Sequence, residues 1–395
     1  MRINRHILFC CGVIVPGLLH GEIAMFKNFP LLAEKIAYVS LSDLPTTVMR
    51  MSQLGTELGC TSLYIKRDDL SGKILEDGHR LFGGNKIRKL EFLLGDALAQ
   101  NAQSVLTFGP IGSNHITATA ACAQYLGLKS YSMLWASQPN SHVVRRNLAL
   151  MDYYGTEIHY CPDSFKYSLA ATYNYFLENF SRQYLYMIPM GGSCTLGELG
   201  FVNAAFELKE QIEQGIIPEP DRLYLSACSY GTISGLLLGA KLAGLKTQII
   251  GIAAAPEKVQ GKGKKTIVEL FRETNTFLHN LDASIPLFDF TENGINLLFD
   301  YAGERYGLLT EQASDAIALM RTKESINLDA TYTGKAMAGM IDDIKKNAKP
   351  DEVILFWNTF YGDMRCDVTN DFDYKKLPKD LHAIFQEPVQ ELDAE

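Results

Sequence analysis

At 395 residues the chain is long enough for two domains with substantial cores, and 47% of it is apolar, a usual share for a globular protein. Its net charge of −8 argues against a nucleic-acid surface, because domains that bind nucleic acid are usually basic. Eight cysteines and eight histidines are dispersed with no C-x-x-C pair, no zinc spacing and no H-E-x-x-H; this predicts no metal site and fits buried free thiols in a reducing compartment.

In chain order, the first feature is an apolar run at 7–19 behind Arg2 and Arg5. It has the n-region and h-region of a secretory signal with a poor cleavage end, and it is too short for a comfortable transmembrane helix. The alternatives are an over-extended start, with Met25 as the true first residue, and an appended helix.

The next feature is Gly83-Gly84-Asn85-Lys86-Ile87-Arg88-Lys89-Leu90-Glu91-Phe92. Two glycines permit a close backbone approach, and Lys86 stands at the mouth of a helix. The positive helix end, Arg88 and Lys89, and any burial all disfavour its ammonium form. A lysine partly freed of its proton is what a Schiff base with an aldehyde cofactor requires. A solvated surface lysine is the plain alternative.

Strands and helices then alternate. The pattern predicts strands at 104–108, 129–135, 157–160 and 184–188, with helices at 117–126, 143–154 and 169–180. Together these make a block of about 100 residues, a usual domain size. Beyond it come a helix at 202–214, a strand at 224–225, a strand at 247–253, helices at 314–323 and 334–346, and a strand at 353–357. The segments at 218–220 and 260–265 read as surface connectors, with Lys262, Lys264 and Lys265 solvated. The tail after Asp371 is charged and reads as peripheral. This order predicts an α/β protein with open, twisted, mostly parallel sheets flanked by helices.

Within the larger lobe, Ser226-Ala227-Cys228-Ser229-Tyr230-Gly231-Thr232 joins a buried strand to an apolar helix. Backbone N–H groups and hydroxyls there can wrap a phosphate. It is neither a P-loop nor a dinucleotide fingerprint, and a capped strand-to-helix turn is the alternative. A lysine and a phosphate cradle far apart in one α/β chain suggest pyridoxal 5′-phosphate, which needs both anchors.

Seven segments then occur in one family's order. They are Leu44-Pro45-Thr46; Ile65-Lys66-Arg67-Asp68-Asp69-Leu70-Ser71-Gly72; the glycine–lysine block; Gly112-Ser113-Asn114-His115; Pro189-Met190-Gly191-Gly192-Ser193; the 226–235 loop; and Tyr332-Thr333-Gly334-Lys335-Ala336-Met337-Ala338-Gly339. From about residue 44 to 360 the chain resembles the D-cysteine desulfhydrase and 1-aminocyclopropane-1-carboxylate deaminase family, part of the tryptophan synthase β-like group of pyridoxal phosphate enzymes.

The resemblance implies a cofactor cleft between a large domain (25–91 with 200–395) and a small one (92–199), and a homodimer. Lys86 would carry the cofactor and shuttle the Cα proton. Asn114 would hydrogen-bond the cofactor's phenolic oxygen, Ser113 would be a catalytic residue near the substrate carboxylate or the amino-group chemistry, and His115 would help hold the carboxylate. The backbone of Cys228, Ser229, Tyr230, Gly231 and Thr232 would hold the phosphate. Tyr332 would be a polar or acid–base contact, and Thr359 would face the pyridine nitrogen. In the deaminase branch the residue after the tyrosine is typically glutamate and the position of Thr359 leucine. Here Thr333 and Thr359 point instead to β-elimination of D-cysteine to pyruvate, sulfide and ammonia.

Departures from the family pattern are Ile116-Thr117-Ala118-Thr119 after the histidine, Phe360-Tyr361 in place of two glycines, Cys228 and Tyr230 in the phosphate loop, and an extension at 73–82. The alternatives are therefore the cyclopropane deaminase and a catalytically altered cofactor-binding relative. The expected ligand is a small amino acid, with no nucleic-acid partner and no stable membrane insertion. The expected compartment is the cytoplasm, or outside it if residues 1–24 are a genuine signal.

Overall fold

The computed structural model describes residues 23–161, 184–260, 262–349, 351–361 and 366–393. The apolar run at 7–19 and the helix expected at 169–180 lie outside them.

Among the described residues, ten strands form two sheets. In chain order they are β1 (Val48–Arg50), β2 (Leu63–Arg67), β3 (Ser104–Pro110), β4 (Lys129–Trp135), β5 (Glu157–Tyr160), β6 (Leu185–Met187), β7 (Arg222–Ala227), β8 (Gln248–Ala253), β9 (Asn296–Leu298) and β10 (Ile354–Asn358). The larger sheet runs β1-β2-β10-β7-β8-β9 and is parallel except where β1 pairs antiparallel with β2. The smaller sheet, β5-β4-β3-β6, is parallel throughout. Its four strands are those expected from the alternation between residues 104 and 188. Every residue of β7 and β10 is buried, as central parallel strands covered on both faces must be. The expected α/β architecture of two mostly parallel sheets is what the chain adopts.

The helix Asn85–Ala99 ties the sheets together. Phe92 packs in the core of the larger sheet with Leu199, Val202 and Trp357. Leu90, Leu93 and Leu94 pack in the core of the smaller sheet with Val105 and Ala118. A third core lies on the opposite face of the larger sheet, where Ile65, Tyr224 and Phe356 meet Met337 and Ile341 of the helix Thr333–Asn347.

A buried charge cluster fixes that bridging helix. Arg88 donates from Nε and Nη2 to Asp68 at 2.8 and 2.7 Å and from Nη1 to Glu207 at 2.9 Å. Lys66 Nζ donates to Glu207 at 2.6 Å, and the Trp357 indole N–H donates to Asp68 at 2.7 Å. Burial works to raise the Glu207 carboxyl, but Arg88 and Lys66 overcome it and hold it far below the usual carboxylate range.

Two expectations need correction. Residues 260–265 are not a connector throughout: Gly263 opens the 19-residue helix Gly263–Leu281. The glycines and lysines at its start conceal an apolar stripe of Ile267, Phe271 and Leu278 that is buried in the core. Lys262 and Lys265 are exposed as expected, but Lys265 is in that helix.

The tail is not peripheral. Leu377 and Leu381 are buried against Leu148 and Met151, and Arg145 Nε and Asn140 Nδ2 donate to the Ile384 carbonyl. Charge along the sequence masked a pair of leucines that complete an apolar patch.

At the other end of the described chain, Ile23, Met25, Phe26 and Leu32 are core residues, and the Met25 N–H donates to Asn203 Oδ1 at 2.9 Å. The two short helices that carry them (Ala24–Asn28 and Pro30–Lys35) leave little periodicity to read.

Candidate active site

The cleft opens where β7 and β10 end and the bridging helix begins, at the carboxyl ends of parallel strands, which is the rule for ligand sites in open α/β sheets. It offers about 440 Å³ free of protein atoms, lined among others by Lys86, Asn114, Cys228, Ser229, Tyr332 and Thr359. Six residues named from the sequence, far apart in the chain, are therefore brought to one place. Tyr230 and Thr232 line it as well.

Lys86 reaches the cleft because Gly84 adopts φ +67° and lets the chain pass against β10. A Cβ at Gly84 would come within 2.6 Å of the Thr359 carbonyl oxygen, to which Asn85 N–H donates at 3.2 Å. Burial pushes the Lys86 amine down to about 8, against the opposing influence of Cys228 and Asp329. The depression expected from the sequence is present, but Arg88 is not its source: that guanidinium turns the other way, onto Asp68 and Glu207.

The segment expected to cradle a phosphate meets a second turn. Tyr230 takes a left-handed conformation (φ +64°) and points the N-terminus of the helix Gly231–Leu242 at the cleft. Ser193, from the Pro189–Ser193 turn, donates its hydroxyl to Ser229 Oγ at 2.8 Å and accepts from Gly231 N–H at 3.2 Å. Lys89 Nζ reaches the same point, 3.1 Å from Ser193 Oγ and 3.2 Å from the Gly191 carbonyl. Gly231 leaves room for this convergence: a Cβ there would lie 2.7 Å from Ser193 Oγ and 2.8 Å from Lys89 Nζ and would displace both side chains.

Lys89 is completely buried, and its bonded partners are neutral oxygens. Burial and the charge of Lys86 push it down to about 7. A buried ammonium, two hydroxyls and a helix N-terminus converging without a bonded carboxylate fit a phosphate dianion. Among the described residues no cluster of His, Cys, Asp and Glu is set to hold a metal ion.

On the small-sheet side, Ser113 opens the helix Asn114–Tyr125 and spends its hydroxyl on the Ile116 N–H, at 3.4 Å. Asn114 stands at the cleft with its Oδ1 occupied by Asn147 Nδ2 at 2.8 Å. His115 is not brought to the cleft lining. It is buried, with Nε2 3.1 Å from Thr107 Oγ1, and burial with the charges of Lys86 and Lys89 keeps it well below its ordinary pKa and neutral.

The far wall is Tyr332, whose hydroxyl meets that of Tyr306. Burial and the facing phenol hold Tyr332 far above the ordinary tyrosine range, so it stays protonated. Thr333 is fully buried behind this wall, donating to Asp329 Oδ2 at 2.8 Å. Asp329 caps the helix Thr333–Asn347, accepting from Tyr332 N–H at 2.6 Å and Thr331 N–H at 2.9 Å, and itself lines the cleft.

Sequence reasoning missed Lys89, Ser193, Tyr306 and Asp329 as site residues. Lys89 was findable, three positions from Lys86 and so on the same helical face. Asp329 was findable as a capping residue four positions before Thr333, the first residue of the helix. Tyr306 comes from an irregular loop and carries no local signal.

Comparison with known proteins agrees with this geometry. Residues 39–359 match the family model described as pyridoxal-phosphate dependent enzyme. A D-cysteine desulfhydrase of Salmonella newport is 32% identical over 330 residues, covering 81% of this chain and 93% of the relative; that of Salmonella typhi matches equally. Among solved structures, a homologue of 1-aminocyclopropane-1-carboxylate (ACC) deaminase superposes with a TM-score of 0.70 at 30% identity, over 91% of this chain and 99% of that one. A pyridoxal 5′-phosphate-dependent aspartate racemase, 17% identical with a TM-score of 0.54 over 90% of this chain and 97% of that one, shares the fold. With a matching family model over most of its length and relatives 32% identical over 81% of it, the chain belongs to the pyridoxal-phosphate dependent enzymes.

Proposed function

We propose that the protein is a lyase that converts D-cysteine to pyruvate, sulfide and ammonia. The observation that carries this reading is Thr359, a hydroxyl at the end of β10 that lines the same cleft as Lys86. The similarity to D-cysteine desulfhydrases supports it. Thr333, paired with Thr359 in the sequence argument, faces Asp329 and does not line the cleft, so the argument for a weakly held ring nitrogen rests on Thr359 alone.

When bound, pyridoxal phosphate would supply an electron-withdrawing ring that stabilises negative charge at the substrate Cα. Lys86 would hold its aldehyde; at a pKa of about 8, roughly a tenth of the amine is neutral at pH 7, against roughly 1 in 3,000 at the ordinary value. The same amine is the base that takes the Cα proton. Lys89, Ser193, Ser229 and the Gly231 N–H would hold the phosphate, Asn114 the ring oxygen and Thr359 the ring nitrogen. Tyr332, kept protonated beside Tyr306, can donate a hydrogen bond to the departing sulfur.

The second reading, ring opening of 1-aminocyclopropane-1-carboxylate to 2-oxobutanoate and ammonia, is favoured by the structural likeness to an ACC deaminase homologue. The test offers purified holoenzyme both substrates. Faster sulfide and pyruvate release from D-cysteine supports the first reading, and faster 2-oxobutanoate release from the cyclopropane supports the second. We extend the proposal to a cytoplasmic homodimer with the cleft between the small and large domains. Among the described residues no helix is long and apolar enough to cross a membrane.

A further inference from the structure

Asn114 is itself held by a chain of buried side chains. Asn147, on the helix His142–Tyr153, is fully buried. Its Nδ2 donates to Asn114 Oδ1 at 2.8 Å and to the Gly112 carbonyl at 2.9 Å. Its Oδ1 accepts two bonds from Arg146, from Nη2 at 3.0 Å and Nε at 3.2 Å. Arg146 in turn lies over the ring of Phe360, 5.6 Å from its centroid. The set therefore runs from the small sheet to the residue that follows Thr359.

An amide can present either its oxygen or its nitrogen, and here both choices are closed. Turning Asn147 over would set its NH₂ against the Arg146 guanidinium and its oxygen against the Gly112 carbonyl. With Asn147 fixed, Asn114 has to spend its oxygen on Asn147 Nδ2. Only the N–H donors of Asn114 are then left for the cleft.

We propose that Asn147, oriented by Arg146, is a positioning residue that locks Asn114 as a pure donor and so holds the cofactor's ring oxygen in its ionised form. A fixed donor aimed at a developing or standing negative charge stabilises it without reorganisation. The inference rests on the pyridoxal phosphate reading above and adds to it the group that sets the ionisation of the ring oxygen.

The test uses pyridoxal 5′-phosphate and no substrate, and reads its dissociation constant and the absorbance of its bound form. Asn147→Asp keeps the Arg146 contact but offers only acceptors, so Asn114 turns over and faces the cleft with its oxygen. The expected result is an affinity loss of about tenfold or more, the worth of one bond to a charged group. The long-wavelength absorbance is also expected to give way to the shorter-wavelength form in which the ring oxygen carries the proton. In an Asn114→Ala background the same substitution is expected to change affinity by less than about twofold, because its target is gone.

Should Asn147→Asp not fold, Asn147→Ala completes the same cycle, with an expected loss of about threefold or more in the native background only. Unchanged affinity and absorbance in folded variants would overturn the inference, as would equal losses in both backgrounds, which mark a merely structural role. Failure of the unaltered protein to take up the cofactor would overturn the functional reading and this inference with it. Uptake with no response to Asn147 overturns this inference alone.

Discussion

One helix, Asn85–Ala99, carries buried cations on two faces, and the two faces are built on opposite rules. On one, Arg88 meets Asp68 and Glu207 in ion pairs of 2.7 and 2.9 Å, with Lys66 sharing Glu207. On the other, Lys86 and Lys89 bond no carboxylate among the described residues, and burial pushes them down to about 8 and about 7. A chain that can saturate buried cations on one side and leaves them short of negative charge on the other has reserved the second side for a ligand. The paired face holds the helix in place; the unpaired face uses that placement.

The contrast can be broken most severely at its reactive member. Lys86→Ala is expected to lower turnover by at least about 10³-fold and to leave thermal stability near that of the parent, since it removes the amine and no paired charge. A turnover within tenfold of the parent would contradict the assignment.

On the paired face, Glu207→Leu strands Arg88 and Lys66 and is expected to cost about 3–5 kcal/mol of stability, measured by denaturant unfolding. The pH dependence follows from the same pairs. The Glu207 carboxyl is depressed in the folded state, so its contribution is complete above the unfolded carboxylate value near 4.5 and is lost as pH falls below it. Acid unfolding that begins at unchanged pH in Glu207→Leu would show that this pair does not govern it.

The slope on the unpaired face has the same sign but lies at higher pH. Lys86 and Lys89 lose protons more readily when folded than the ordinary value of 10.5 allows. Stability of the cofactor-free protein is therefore expected to rise with pH from about 7 towards about 10, and to rise at pH 7 on adding inorganic phosphate, which gives Lys89 its missing partner. Lys89→Met should abolish the phosphate response and weaken cofactor binding about tenfold to a hundredfold. A phosphate response retained in Lys89→Met would place the cradle elsewhere.

The smallest effect is expected at Thr359→Leu, a several-fold loss in sulfide release from D-cysteine through one lost hydrogen bond. An unchanged rate would put some other residue at the ring nitrogen.

Most of this contrast was half legible in the sequence. The alternation from residue 104 to 188 gave the smaller sheet because parallel strands announce themselves as short apolar runs between helical ones. Lys86 and the 226–232 loop were legible because glycine and small residues mark where backbone must approach a ligand. The direction of Arg88 was not, since two residues along a helix is a half-turn and only the tertiary partners Asp68 and Glu207 say which way it faces. His115 and Thr333 flank Asn114 and Tyr332 in sequence, yet the helix turns each of them away from the cleft lining. Tyr306, in contrast, is brought to Tyr332 only by the fold of an irregular loop. The tail after Asp371 misled because net charge hides Leu377 and Leu381, whose burial depends on a surface supplied by the helix His142–Tyr153.

The central claim is that the unpaired face of the bridging helix holds pyridoxal phosphate through Lys86. Reduction of the cofactor-loaded protein with borohydride, followed by peptide mass mapping, tests it most directly. A pyridoxyl adduct on the peptide containing Lys86, absent in Lys86→Ala, is the predicted result. An adduct on Lys89, Lys335 or any other lysine, or none in loaded protein, would contradict it.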